Sequence, residues 1–165
     1  MAARIAGSGG DPSWKSVLRP GLFEGRVYIV TGGGSGIGFA ITRELLVLGA
    51  TVVICGRHWD RLRKAAYLLA CEALGGGDRL HIQRCDVRAD RHARDLVAHT
   101  VGRYGRLDGL VNNAGGQFTS MLEDLSAKGL EVVLKLNVIG TFNMSRAAYD
   151  VWKERDSGGV IVNIA

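Results

Sequence analysis

The residue types able to do chemistry gather in a few short stretches of this chain. Thr31-Gly32-Gly33-Gly34-Ser35-Gly36-Ile37-Gly38 follows an apolar run and leads into apolar residues at helical spacing. Gly32 permits a tight turn, Gly36 lets the backbone approach a pyrophosphate, and Gly38 lets a helix pack closely on a strand. The start of that helix offers unpaired N–H groups and a positive dipole end to phosphate. A glycine motif alone is weak evidence. With a strand before it and a helix after it, the motif reads as a dinucleotide site. Thr31, Gly32, Ser35, Gly36, Ile37 and Gly38 are the cofactor contacts expected from this loop.

The next informative position follows the second apolar run, where Gly56 precedes Arg57. A site that prefers NAD usually carries Asp or Glu here, accepting from the ribose hydroxyls. An acid would repel a 2′-phosphate, whereas a guanidinium grips it bidentately. Hydrogen bonds to charged groups contribute roughly 1.5–3 kcal/mol, about a 10- to 150-fold preference. The expected cofactor is therefore NADP(H), with Arg57 as the main determinant. The competing reading of Arg57 is a solvent-facing residue opening the next helix. Asp86-Val87 and Asn112-Asn113-Ala114-Gly115 end two later apolar runs, and Asn137 lies on a long helical stretch. By residue type alone, Asp86 serves equally well as a helix-capping acid and Asn137 as the site of a kink.

The elements that must position these residues alternate regularly. A continuous run at 26–31 and the stretches 51–55, 80–85, 107–111 and 159–164 read as strands. Between them, Ile37 to Leu48, Leu62 to Ala73 and Ala93 to Tyr104 have helical periodicity, with glycines after each. Val133, Leu136, Asn137, Gly140, Met144 and Ala147 then line one face of a long helix, with Ser126 as its N-cap. Strands apolar throughout, alternating with helices, make a parallel sheet covered on both faces. Right-handed crossovers reduce the choices to an α/β, Rossmann-type doubly wound sheet, here ending after its fifth strand. Ligands of such sheets bind beyond the carboxyl ends of the strands, where all these motifs fall. The expected division is a flexible leader over 1–20 and an NADP-binding Rossmann domain over 21–165, incomplete at its C-terminus.

Composition narrows the classes further. The chain has 165 residues, 47% hydrophobic and 22% charged, which suits one domain with a real core. Its 24 glycines are about twice the usual share. The net charge of +5 is spread along helices rather than gathered in a stripe, so nucleic acid is not an expected partner. No apolar run approaches the roughly 20 residues a membrane span requires. Three cysteines without CxxC spacing and four unclustered histidines predict no disulfide framework and no metal site. Cys55 and Cys85 read as buried small hydrophobes in a reducing compartment.

From Gly21 to the last residue, Thr31-Gly-X-X-X-Gly36-Ile-Gly38, Asp86-Val87, Asn112-Asn113-Ala114-Gly115 and Asn137 resemble, in order and context, the short-chain dehydrogenase/reductase family. The resemblance implies that Asp86 contacts the adenine amino group and Val87 lines its pocket. It also implies that Asn113, Ala114 and Gly115 stiffen the fourth strand beside the cofactor. Asn137 would anchor a water relay to a catalytic lysine. Pro20-Gly21-Leu22-Phe23-Glu24-Gly25, Gly116-Gln117-Phe118 and Leu136 to Phe142 are similar to the peroxisomal trans-2-enoyl-CoA reductases of that family. That similarity implies NADPH-dependent reduction of an acyl-CoA-type substrate in fatty-acid metabolism, in a peroxisomal or cytoplasmic setting, with Phe118 against the acyl chain. A 3-oxoacyl or other carbonyl reductase of the same family and a non-catalytic NADP(H)-binding module are the alternatives.

Family members carry a serine just after the fifth strand and a Tyr-X-X-X-Lys motif later. Here the only match is Tyr149-Asp150-Val151-Trp152-Lys153, which precedes the fifth strand and reads as a chance match on a helix surface. The chain is thus expected to be a cofactor-binding half, inactive as a reductase alone, from a protein that pairs subunits through the helix bearing Asn137.

Overall fold

The computed structural model describes residues 16–71, 78–117 and 121–165. Five strands form one sheet: β1 (Val27–Thr31), β2 (Thr51–Gly56), β3 (Leu80–Arg84), β4 (Gly109–Asn112) and β5 (Val160–Asn163). Their order is β3-β2-β1-β4-β5 and every pairing is parallel. The chain runs outward from β1 to one edge, returns, and runs to the other, so the strand order reverses beside β1. The five helices are α1 (Gly36–Val47), α2 (Trp59–Cys71), α3 (Asp90–Tyr104), α4 (Ala127–Leu134) and α5 (Gly140–Glu154).

Alternation along the strands divides the core in two. Ile29, Val53, Cys55 and Leu110 face α3 and α5, meeting Leu96, Val97, Met144 and Trp152. Val30, Val52, Ile54 and Val111 face α1 and α2, meeting Leu45, Leu46, Leu62 and Leu69. The three-layer Rossmann-type sandwich expected from the sequence is present. At the amino ends of the strands, Asp108 accepts the Val27 N–H at 2.8 Å and both arms of the Arg106 guanidinium. Asp108 thereby fixes where β1 begins relative to β4.

Strand and helix limits fall close to their apolar runs, with two differences. β4 opens at Gly109 rather than 107, where the Leu107 carbonyl is taken by the Trp152 indole N–H at 2.7 Å. The long helix expected after Ser126 is three pieces. Ser126 Oγ does cap α4, accepting from Gly129 N–H at 3.1 Å. A π-turn at Lys135–Ile139 then separates α4 from α5. α4 buries no residue, Leu136 in the π-turn packs half-buried against the core, and fully buried helical residues begin at Gly140. On the face read from the sequence, Val133 and Leu136 are half-buried and Gly140, Met144 and Ala147 are buried, whereas Asn137 in the π-turn is exposed.

Of the expected leader, 1–15 lies outside the described residues. Ser16 Oγ donates to the Glu44 carboxylate on α1 at 2.5 Å, so its last part contacts the domain.

Candidate cofactor site

A cleft of about 220 Å³ opens beyond the carboxyl ends of β1 to β4. Gly32, Ser35, Arg57, Asp86, Val87, Asn113, Ala114 and Gly115 all line it. Thr31, Gly36, Ile37 and Gly38 complete the first loop beside it. Residues far apart in the chain are thus gathered by the end of one sheet.

Thr31 is the hub of this assembly. Its hydroxyl, nearly inaccessible, accepts the backbone N–H groups of Asn113 and Ala114, both at 2.9 Å, and donates to Val111 O at 3.3 Å. The Asn113 amide returns the contact, donating to Thr31 O at 2.9 Å and Gly32 O at 3.4 Å. Thr31 therefore works by locking the glycine loop to the end of β4, with no hydroxyl capacity left over for a ligand.

The loop is shaped by two kinds of glycine. At Gly38 a Cβ would fall 2.5 Å from the Asn113 amide and 2.6 Å from Gly32 O, so only glycine lets α1 approach the turn this closely. At Gly36 the backbone is left-handed, φ +55°, and a Cβ would meet nothing within 4 Å. The space beside Gly36 is clear, next to the first N–H groups of a 12-residue helix. Ser35 precedes that helix in extended conformation and its side chain makes no cap. An open space, unpaired donors and an uncommitted hydroxyl fit a diphosphate.

Asp86 lies across the cleft at the end of β3. Its carboxylate is held by Arg88, whose Nη2 donates at 2.6 Å and Nε at 2.9 Å, and it accepts the Arg88 N–H at 3.1 Å. These bonds to Arg88 hold the Asp86 carboxyl below the usual aspartate value, and Arg57 contributes in the same sense. Asp86 is not the cap of α3, whose N-cap is Ala89. Val87 is buried, and its Cγ2 lies 2.6 Å from where a Gly140 Cβ would be, so α5 begins directly against the Asp86–Val87 side of the cleft.

Asn137 sits in the π-turn. Its amide donates to Gly116 O at 2.9 Å and its Oδ1 accepts Gly116 N–H at 3.0 Å, a two-bond clasp on the loop after β4. Its backbone carbonyl accepts the Thr141 hydroxyl at 2.7 Å. Asn137 thus lies where the helix is interrupted, and its side chain is engaged with the loop after β4. Tyr149 stands exposed on α5, away from the cleft lining. Phe118 lies outside the described residues.

The sequence pattern did not single out His58, Arg61, Leu62, Leu136 and the cleft positions of Cys55 and Cys85. Arg61 lies in the first turn of α2, which opens at Trp59, two residues beyond Arg57. Among the described residues, no group of three or more metal-ligating side chains forms, and no helix is long and apolar enough to cross a membrane.

A comparison with known families agrees with this geometry. The profile of the short chain dehydrogenase family matches residues 26–165. This chain belongs to that family. Its members are oxidoreductases that use NAD(P)H. The peroxisomal 2,4-dienoyl-CoA reductase of Arabidopsis thaliana is 39% identical over 160 residues, covering 91% of this chain and 51% of that enzyme. A citronellol catabolism dehydrogenase of Pseudomonas aeruginosa PAO1 superposes with a TM-score of 0.79 at 40% identity, over 91% of this chain and 59% of its own. An actinorhodin polyketide ketoreductase solved with NADPH gives 0.77 at 35% identity, over 85% of this chain and 52% of its own. The chain spans about half the length of the curated relatives it matches. The coenzyme A thioester reductases among these relatives act on a 2,4-dienoyl-CoA, a class adjacent to the trans-2-enoyl-CoA reductases that the sequence resembles.

Proposed function

We propose that this chain is the dinucleotide-binding half of an NADPH-dependent reductase acting on an unsaturated acyl-CoA thioester. The observation that carries the cofactor reading is Arg57. It is exposed at the end of β2, lines the same cleft as the glycine loop, and makes no ion pair among the described residues. A guanidinium kept without a carboxylate partner beside a dinucleotide loop suits a 2′-phosphate.

When bound, NADPH supplies the hydride. The chain's own residues bind and orient it. N–H groups at the start of α1 meet the diphosphate, Ser35 adds a hydroxyl, and Arg57 takes the adenosine phosphate. Asp86 and Val87 flank the adenine. Thr31, Asn113, Ala114 and Gly115 keep the loop and β4 in register. Asn137 orders the loop that begins at Gly116, toward the side where an acyl-CoA would enter. In this reading the 165 residues bind the dinucleotide without turning over an acyl-CoA, since a serine after β5 and a later Tyr-X-X-X-Lys are the groups that would move the proton.

The acyl-CoA assignment draws on the relatives' names, and a peroxisomal setting has the same support. The similarity to a ketoreductase favours a 3-oxoacyl substrate as the second reading. Homo-oligomer formation by the whole protein is supported by the exposed Val138, Ile139, Phe142 and Tyr149 along the helix bearing Asn137.

Fluorescence titration with NADPH and NADH tests the cofactor reading. NADPH binds more tightly, and Arg57→Ala weakens it by about 10-fold or more while leaving NADH within about twofold. Equal affinities in the unsubstituted chain, or a selectivity unchanged by Arg57→Ala, would overturn it.

A further inference from the structure

The cleft carries more positive charge than one guanidinium supplies. Its lining residues of fixed charge are Arg57, Arg61 and Asp86. Asp86 is already matched by Arg88, which bonds both its oxygens. That leaves Arg57 and Arg61, neither in an ion pair among the described residues, with His58 between them in sequence. Arg61 is also placed with care. Its Cγ lies 3.3 Å from where a Cβ on Gly34 would stand, so the side-chain stem runs across the glycine loop where that loop has no side chain. Leu62 Cδ2 lies 3.4 Å from the same Cβ position and Leu62 is itself buried, which fixes this turn of α2 against the loop.

A phosphate monoester carries about −1.5 to −2 charges near neutral pH, with a second pKa of about 6. One arginine neutralises half of that. We infer that Arg61 is a second specificity-determining residue, closing with Arg57 on the 2′-phosphate of the cofactor, with Gly34 bare because the Arg61 stem crosses it. The inference rests on the NADPH reading above and adds to it a residue and a stoichiometry, two guanidinium groups for one dianion. The ribose diol of NADH is neutral at this position and gains little from either arginine.

Two small probes separate the possibilities. Adenosine 2′,5′-bisphosphate carries the discriminating phosphate, and 5′-AMP lacks it while keeping the adenine and the 5′-phosphate. Calorimetric titration of the 165-residue chain with each should show tighter binding of the bisphosphate. Arg61→Ala should then weaken the bisphosphate by about 10-fold or more and leave 5′-AMP within about twofold. Arg61→Glu should weaken the bisphosphate further, again without change in 5′-AMP. Retained 5′-AMP binding shows in the same experiment that each variant is folded. If Arg61→Ala weakens both probes equally, Arg61 serves the 5′-phosphate side and the inference is wrong. It is equally wrong if Arg57→Ala abolishes the preference while Arg61→Ala leaves it intact, and in that case the NADPH reading stands. If the unsubstituted chain does not distinguish the probes at all, both fail together.

Discussion

Asp86 and Arg88 show how a cleft-lining acid can be positioned by a neighbour two residues away. The bonds from Arg88 favour the ionised carboxyl and lower its pKa. A carboxyl whose pKa is lowered by folding adds stability above the ordinary aspartate range and loses that contribution as pH falls through the lowered value. Arg88→Ala should therefore be less stable than the parent chain at neutral pH. The difference should shrink as pH drops below about 4, where aspartate takes up its proton. Urea unfolding at several pH values measures this, and a difference that persists unchanged into acid would show that Arg88 acts through packing instead. Arg57, Asp86 and the loop glycines were legible in the sequence because spacing after each strand places them. The Arg88 clasp, the inward turn of Thr31 and the presence of Arg61 were not. Each depends on which way a side chain points, and residue type does not fix that direction.

Elements in this fold are legible to the degree that their periodicity is uniform. β1, β2 and β5 are largely apolar and β3 alternates Leu80 and Ile82 with His81 and Gln83, so all four fall close to where the sequence places them. The π-turn at Lys135–Ile139 breaks the uniform 3.6-residue period, and a template that assumes constant phase runs straight through it. The contact between α1 and the first loop is the most demanding junction. Gly38→Ala puts a methyl group 2.5 Å from the Asn113 amide, whose bonds to Thr31 and Gly32 hold the loop in place. Overpacking of this kind costs about 1–3 kcal/mol. The expected result is a lower melting temperature together with weakened NADPH binding, measured by thermal denaturation with and without NADPH. A variant that binds as tightly as the parent chain would mean that α1 can move away freely.

At the scale of the whole molecule, the doubly wound parallel arrangement came from handedness and connection alone, because a parallel sheet with helical crossovers leaves few arrangements. What handedness does not show is the uneven covering of the sheet. β3 through β4 are packed between helices, whereas Val160, Ile161 and Val162 in β5 remain 61%, 37% and 45% exposed. Among the described residues β5 pairs with β4 alone. Apolar strands with a free edge promote edge-to-edge association. Sedimentation of the 165-residue chain should reveal concentration-dependent association, and Val162→Lys should suppress it while leaving cofactor binding unchanged. Association undiminished in that variant would direct attention to the exposed residues of α5.

The paired bonds between Asn137 and Gly116 have a mechanical consequence. A single hydrogen bond is a swivel, about which a segment can rotate while staying attached. Two parallel bonds to one residue form a rigid bracket, so Gly116 cannot tilt without breaking both. Release of Gly116 from Asn137 is then a discrete unfastening of both bonds rather than a graded drift.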